Sequence, residues 1–332
     1  MMPAIETPSY GPTGSFFTCT VEDPVPQGLR LDHYIAGHLK ILSRSQIKAR
    51  RLEARLNGKP VKISRILKSG DFLELSWQKS ESPFLVPQDL PLDIIYEDKR
   101  VIVVNKAQGM VVHPGAGNSQ DTLANALLYR MQQNGLTDAT SGLRPGIVHR
   151  LDKDTSGVII AAWDEEAHAF LSGQFKARKV RKGYAALVHG CPRDTQGRID
   201  KRIVRSRRDR KVFTVSDNEG RQALTYFKLV RSYGDYSLLL LRPKTGRTHQ
   251  IRVHLKHLGN PILGDPIYGR SDSRNGKNDH RFKNATLMLH AKSLFLVLPH
   301  GCQETAGNPV MFRTPLPERF LDVIHKLNQA HY

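Results

Sequence analysis

The sequence predicts an α+β protein: a large domain built on a mixed, largely antiparallel sheet with helices, behind a small N-terminal α/β domain. Three observations lead there. Strand-like and helical segments follow one another in irregular order, without the βαβ alternation of a doubly wound sheet. A stretch of changed composition holding Pro83 and Pro87 separates a basic first part from the rest. The 332 residues suffice for one large core and one small one.

Residues 1–27 read as a flexible polar lead-in, with Pro3, Pro8, Pro12, Pro24 and Pro26 and no basic start before an apolar block as in a secretory signal. Residues 28–77 form the small domain. Leu31, Tyr34, Ile35, His38 and Leu39 recur at helical spacing. Ser43 and Gln46 fit a capping box opening a second helix, which carries Arg44, Lys48, Arg50, Arg51 and Arg55 beside Ile47, Leu52 and Leu56. Asn57-Gly58 marks a turn, Val61 and Ile63 alternate as in a strand, and Gly70-Asp71 turns into the alternating Phe72 to Leu75. Residues 78–90 are the linker. In the large domain, 91–332, strands are expected at Ile94–Tyr96, Val101–Val104, Val158–Ala162, Ala185–Val188, Leu238–Leu241 and Leu294–Leu298. Helices are expected at Asp121–Arg130 and Glu165–Phe175.

Lys and Arg number 50 against 31 acidic residues, a formal net charge of +19 spread over most of the length. That excess favours a polyanionic partner, nucleic acid first, over a surface that only confers solubility. No stretch approaches the roughly 18 apolar residues of a membrane helix. Cys19, Cys191 and Cys302 are isolated and odd in number, which fits neither a disulfide framework nor a zinc site and points to a reducing, cytoplasmic home. No phosphate-cradling glycine loop or HExxH pattern is present, so nucleotide hydrolysis and metal-assisted hydrolysis have no support.

Three segments carry chemistry. His149 to Gly157 sets Asp152 between Arg150 and Lys153, with loop residues Arg144, Pro145 and Gly146 upstream. Flanking positive charge favours the carboxylate over the acid, which suits a nucleophile or base; a surface ion pair at a strand mouth explains the same charges. Lys179 to Tyr184 leads into the apolar Ala185–Val188, and the aromatic with a polar tip can stack on a base or bond a carboxylate. It can equally be a rim tyrosine. The third segment is Lys244 to Leu255, where Arg247 follows a glycine turn and Gln250 to Leu255 reads as a helix start or a strand end. Arg247 offers a planar fork to a carboxylate, and pairing with Asp152 would aim it. His249 reads as a structural hydrogen-bonder.

Residues 28–77 resemble the αL-type RNA-binding domain shared by a small-subunit ribosomal protein and tyrosyl-tRNA synthetases, through Arg30-Leu31-Asp32, Ser43-Arg44-Ser45 and Leu56-Asn57-Gly58-Lys59-Pro60-Val61. The three segments of the large domain, in their order, resemble the RluA family of pseudouridine synthases over roughly residues 91–315. The His149–Gly157 run agrees with that signature at every defined position. Further support comes from Asn105-Lys106, Gly109, Val112-His113-Pro114, Lys182, Tyr184, Leu258 to Asp265 and Tyr268-Gly269; Ala107 and Gly183 depart from the pattern.

The resemblance implies isomerisation of uridine to pseudouridine, without metal or cofactor, on a flipped nucleotide. Asp152 would attack the sugar or the uracil ring, Tyr184 would lie against the uracil and help remove the ring proton, and Arg247 would pair with Asp152. Arg150 would brace the space the nucleotide leaves. Arg44, Lys48 and Arg51 of the small domain, and Arg207 and Arg208 of the basic run Lys201–Lys211, would contact phosphates. The RluD-like branch implies large-subunit ribosomal RNA, with transfer RNA the alternative substrate, and a monomer is expected. Two other readings stand beside it: an RNA-binding assembly factor not dependent on catalysis, and a base-excising glycosidase. The latter wants a second carboxylate, for which Asp154 is the near candidate.

Overall fold

The computed structural model describes residues 9–10, 14–22, 26, 28–39, 41–42, 46–47, 50–78, 85–115, 118–136, 145–209, 211–269, 280–302 and 307–329. The chain divides into two compact units, Met1–Phe84 and Leu85–Tyr332. No helix among the described residues is long and apolar enough to cross a membrane.

The first unit is a five-stranded sheet in the order β1-β2-β5-β3-β4, comprising β1 (Ser9–Tyr10), β2 (Gly14–Thr20), β3 (Glu53–Leu56), β4 (Lys59–Val61) and β5 (Phe72–Gln78). A short helix α1 (Leu31–His33) runs on into a π-helical turn, Tyr34–Leu39. Leu31, Ile35, Phe17, Leu73, Leu75 and Trp77 share its core. Two expectations are corrected here. Part of the lead-in is ordered: β2 pairs with β5 along its length, because Ser15 and Phe17 point inward while Phe16 stays exposed, a two-residue period. The basic helix does not reach Leu56. Arg51 turns the backbone at φ 47°, and Glu53–Leu56 is a strand with Ala54 and Leu56 buried between exposed Glu53 and Arg55. The Asn57-Gly58 hairpin to β4 decides that stretch against the helical spacing. Arg44 and Lys48 lie outside the described residues.

The second unit holds a ten-stranded sheet in the order β11-β10-β12-β13-β9-β14-β8-β7-β6, with β15 on β14. Its strands are β6 (Ile94–Glu97), β7 (Val101–Lys106), β8 (Ser156–Ala162), β9 (Arg181–His189), β10 (Gln196–Arg205) and β11 (Phe213–Ser216). They continue with β12 (Arg221–Ser232), β13 (Tyr236–Pro243), β14 (Leu289–Val297) and β15 (Pro309–Arg313). Every neighbouring pair is antiparallel except β14 with β8, joined in parallel at His290–Ser156 and Ala291–Gly157. The helices are α2 (Leu123–Gln133), α3 (Glu165–Lys176), α4 (Gln250–His257) and α5 (Glu318–Gln329).

The apolar runs on β7 and β8 are continuous because both faces are covered. Val101, Val103, Val158 and Ile160 pack with Ala167 and Leu171 of α3, while Ile102, Val104, Ile159 and Ala161 pack with Leu123, Leu127 and Met131 of α2. Thr122 and Asn125 form a capping box at the start of α2, and Asp164 caps α3. Over β9 and β13, Leu187, Leu239 and Leu241 pack with Ile251 and Leu255 of α4 and Phe320 and Val323 of α5. The sheet is strongly asymmetric there: Leu240, one residue along β13, is exposed. Gly157, at φ +119°, lets β8 start hard against β14, where a Cβ would run into the Ala291 carbonyl. The Asp152 loop lies just ahead of that junction.

Candidate active site

The loop between Val148 and Thr155 is pinned by its own backbone. The Thr155 N–H donates to the Asp152 carbonyl at 3.1 Å, and the Gly109 N–H to the Lys153 carbonyl at 2.9 Å. Gln108 Nε2 reaches the Asp154 carbonyl at 2.9 Å. Lys106, buried at the end of β7, donates from Nζ to the carbonyls of Ala107 and Met110 at 2.8 Å each and of Lys153 at 3.1 Å. Successive carbonyls of the Asp152 loop are therefore held, and the Asp152 side chain is left to face the cleft. His149 is fixed on the other side: its Nε2 accepts the Ile160 N–H at 3.1 Å and its ring stacks on Phe175 with centroids 4.5 Å apart. Burial, and then the charge of Lys182, pull His149 down to about 3, so it is a neutral spacer at physiological pH.

Burial pulls Lys106 down to about 8, against the charges of Asp154 and Asp152 that hold it up. Below that value its ammonium has three N–H groups for three carbonyls; above it the amine has two, and one loop carbonyl loses its donor. Turnover is therefore expected to fall as pH rises through about 8. Lys106→Met should be slower at every pH and lack this alkaline limb, which a pH–rate profile of both proteins checks.

A cleft of about 460 Å³ opens over the loop. It is walled by the loop itself, by Phe175 at the end of α3, by Lys182 and Tyr184 on β9, and by the segment from Pro243 to Arg252. Seven cations line it (Arg150, Lys176, Arg178, Lys182, Lys244, Arg247 and Arg252), and Asp152 is the one carboxylate among its lining residues. Tyr184 is pushed above the ordinary phenol range by burial and then by the charge of Asp152. It is a neutral phenol, suited to stacking and hydrogen bonding, and a poor source of phenolate. Arg150 is exposed at the rim.

The cation beside Asp152 is Arg252, which corrects the expected pairing with Arg247. Arg252 Nη1 lies 3.6 Å from Asp152 Oδ2. The rest of its guanidinium grips Asp265, Nε to Oδ2 at 2.8 Å and Nη2 to Oδ1 at 2.7 Å. Asp265 also accepts the N–H groups of Ile267 and Tyr268, each at 2.9 Å. Burial alone would raise the Asp265 carboxyl; the Arg252 hydrogen bonds and charge outweigh it and hold it low. The Arg252 side chain is 4% exposed and that of Asp265 0%, against 22% for Asp152. Asp265 thus anchors the guanidinium, and one edge of it remains for Asp152.

Arg247 lines the cleft elsewhere, donating from Nε to the Gln222 carbonyl at 3.2 Å. Burial and two further cations, Arg221 and Arg178, push its guanidinium down. The cause is local. His249 takes a left-handed φ of 54° as it caps α4, and the Gln250 side chain accepts the Arg247 N–H at 3.0 Å, so the chain reverses between the two arginines. Ile251 and Leu255, four apart, join the core from α4, and Arg252 is buried with every other residue from Gln250 to Leu255. His249 sits 2.8 Å from the Tyr268 hydroxyl, the structural part expected of it. Arg207 and Arg208 lie in the turn between β10 and β11 and do not line the cleft; Arg207 pairs with Glu219 at 2.7 Å. Arg51 is exposed on the first unit.

One carboxylate facing an otherwise cationic cleft, beside an arginine anchored on a second carboxylate, fits an enzyme whose substrate is a polyanion. The chain belongs to the RNA pseudouridylate synthase family, whose model matches residues 100–257. It is 45% identical over 272 residues to the ribosomal large subunit pseudouridine synthase D of Borreliella burgdorferi, covering 80% of this chain and 81% of that protein. The protein of the same name from Zymomonas mobilis is 42% identical over 234 residues, 70% of this chain and 71% of its own. These relatives put the chain with the RluD-like branch of the RluA family. Among solved structures, the human RNA pseudouridylate synthase domain containing 4 superposes with a TM-score of 0.55 at 27% identity, over 71% of this chain and 92% of that one.

Proposed function

We propose that this chain converts uridine to pseudouridine in large-subunit ribosomal RNA, with Asp152 opening the reaction. The observation that carries the assignment of roles is the placement of Asp152 as the lone carboxylate of the cationic cleft, 3.6 Å from Arg252. The isomerisation breaks the N1–C1′ bond, rotates the uracil, and forms C5–C1′. The proton on C5 departs and N1 gains one, so no outside reactant is required. Asp152 supplies the anion that attacks C1′ or the ring, and Arg252 orients it. Tyr184 lies against the uracil and hydrogen-bonds it as a phenol.

A paired uridine keeps these atoms out of reach, and extruding it costs a few kcal/mol, least in a loop. Arg150, exposed at the rim, braces the gap in the stack. Arg51 and its neighbours on the first unit, with Arg207 and Arg208, neutralise phosphates without reading sequence. The protein works as a monomer in the cytoplasm. Asp154 does not line the cleft, which disfavours a two-carboxylate glycosidase.

Mapping pseudouridine in RNA from cells lacking the gene tests the substrate. Discrete large-subunit sites should disappear and return with the wild-type gene. Sites lost only from transfer RNA would move the activity there, and no lost site would favour an assembly factor.

A further inference from the structure

We propose that the face of the large sheet turned away from the cleft is a second RNA surface, binding single-stranded RNA that flanks the target uridine. This rests on RNA being the substrate. Side chains alternate along a strand. On β9, Lys182 and Tyr184 line the catalytic cleft, and Gly183 between them opens the opposite way, into a second trough of about 960 Å³ whose rim Tyr184 also reaches.

The floor of the trough is a row across the sheet. Arg198 on β10 pairs with Tyr226 on β12, and Tyr226 with Arg242 on β13. Gly183 pairs with Ser293 on β14, and Ser293 with Arg313 on β15. Arg198 and Arg242 thus flank Tyr226 at one end, and the small Gly183 and Ser293 lead to Arg313 at the other. With strands about 4.8 Å apart, Arg198 and Arg242 stand about 10 Å from each other with Tyr226 midway. Tyr226 and Leu240 are 39 and 42% exposed, although α4 and α5 cover the other side of β12 and β13, and Met311 on β15 is 45% exposed.

Charge identifies the occupant. Arg198, Lys228, Arg242, Lys244, Lys292 and Arg313 line the trough, and no carboxylate does. None of the six forms an ion pair among the described residues, whereas Lys201 and Arg207 on the neighbouring hairpin are matched to Asp217 and Glu219. Uncompensated cations around an upward-facing aromatic on a sheet make a platform for a backbone and a stacked base. Base pairs in a duplex would keep their faces from Tyr226, which selects a single strand. Continuity gives the route: Lys244 lines both the trough and the cleft, so a strand leaving the cleft passes over it.

The test uses the full chain and a short fluorescein-labelled oligoadenylate, which holds no uridine to turn over. Arg198→Glu with Arg313→Glu should weaken binding at least about tenfold and lower the salt slope by roughly 1.4, at about 0.7 per phosphate on a single strand. Tyr226→Ala should weaken it at least about fivefold and Tyr226→Phe restore it, since stacking needs only the ring. Ultraviolet crosslinking should mark the peptide holding Tyr226. Thermal melts and release of tritium from C5 of uridine in a short stem-loop should match wild type for all three variants. Unchanged affinity and salt slope would overturn the proposal. So would variants that alter only self-association, or only binding of an acidic protein. Wild-type protein that released no tritium from any RNA would refute the proposed function, while the oligoadenylate comparison would still stand.

Discussion

Asp152→Asn is expected to abolish pseudouridine formation, by roughly 10⁴-fold or more as for other lost nucleophiles, and to leave the fold intact. The two halves have separate grounds. The loop is held by backbone carbonyls, those of Asp152, Lys153 and Asp154, and an amide side chain disturbs none of them. Arg252 is not left as a lone buried cation either, because its fork stays on Asp265 at 2.7 and 2.8 Å. The variant should therefore melt with wild type and bind RNA with similar affinity, while tritium release from C5 of uridine falls to background. Release within tenfold of wild type would mean that Asp152 is a hydrogen-bonding group and that the reacting anion lies elsewhere.

How far the site could be read in the sequence follows from how local its parts are. The Asp152 loop is contiguous, and its charges and turn residues announce it. Tyr184 is legible because it opens an apolar strand. Arg252 is not legible because its anchor, Asp265, lies thirteen residues further on and the left-handed turn at His249 separates it from Arg247. Nothing in the spacing of Arg247 and Arg252 carries either fact.

The fold shows the same division. Val101–Val104 and Val158–Ala162 read as strands because helices bury both their faces. β10 is hard to read in the sequence because it buries only Ile199 and Ile203, four apart, among charged residues, a pattern closer to a helix. Its basic residues Lys201 to Arg205 nonetheless complete a ladder with β12 and β11. Phe17 turns inward beside Phe16, which stays exposed, and a pair of adjacent aromatics does not show a two-residue period until β5 lies beside it.

Arg252→Met should produce the largest loss of stability at this site as well as loss of turnover. It strips the cation from Asp265, whose side chain is 0% exposed and keeps only the N–H groups of Ile267 and Tyr268. An uncompensated buried charge of this kind costs roughly 3–5 kcal/mol. For a unit of this size that lowers Tm by roughly 6–20 °C. The sign with pH follows from the low folded-state value of Asp265. Its stabilisation is present above the unfolded carboxylate range and lost as pH falls through the lower folded value. The gap between wild type and variant should therefore be widest near neutrality and narrow in acid. The double variant Arg252→Met with Asp265→Leu separates structure from chemistry. Removing both charges should return most of the lost Tm, because apolar replacements of a buried pair are tolerated. Turnover should stay low, since Asp152 would face the uridine without the cation that orients it. Recovery of both together would show that Arg252 serves the fold alone.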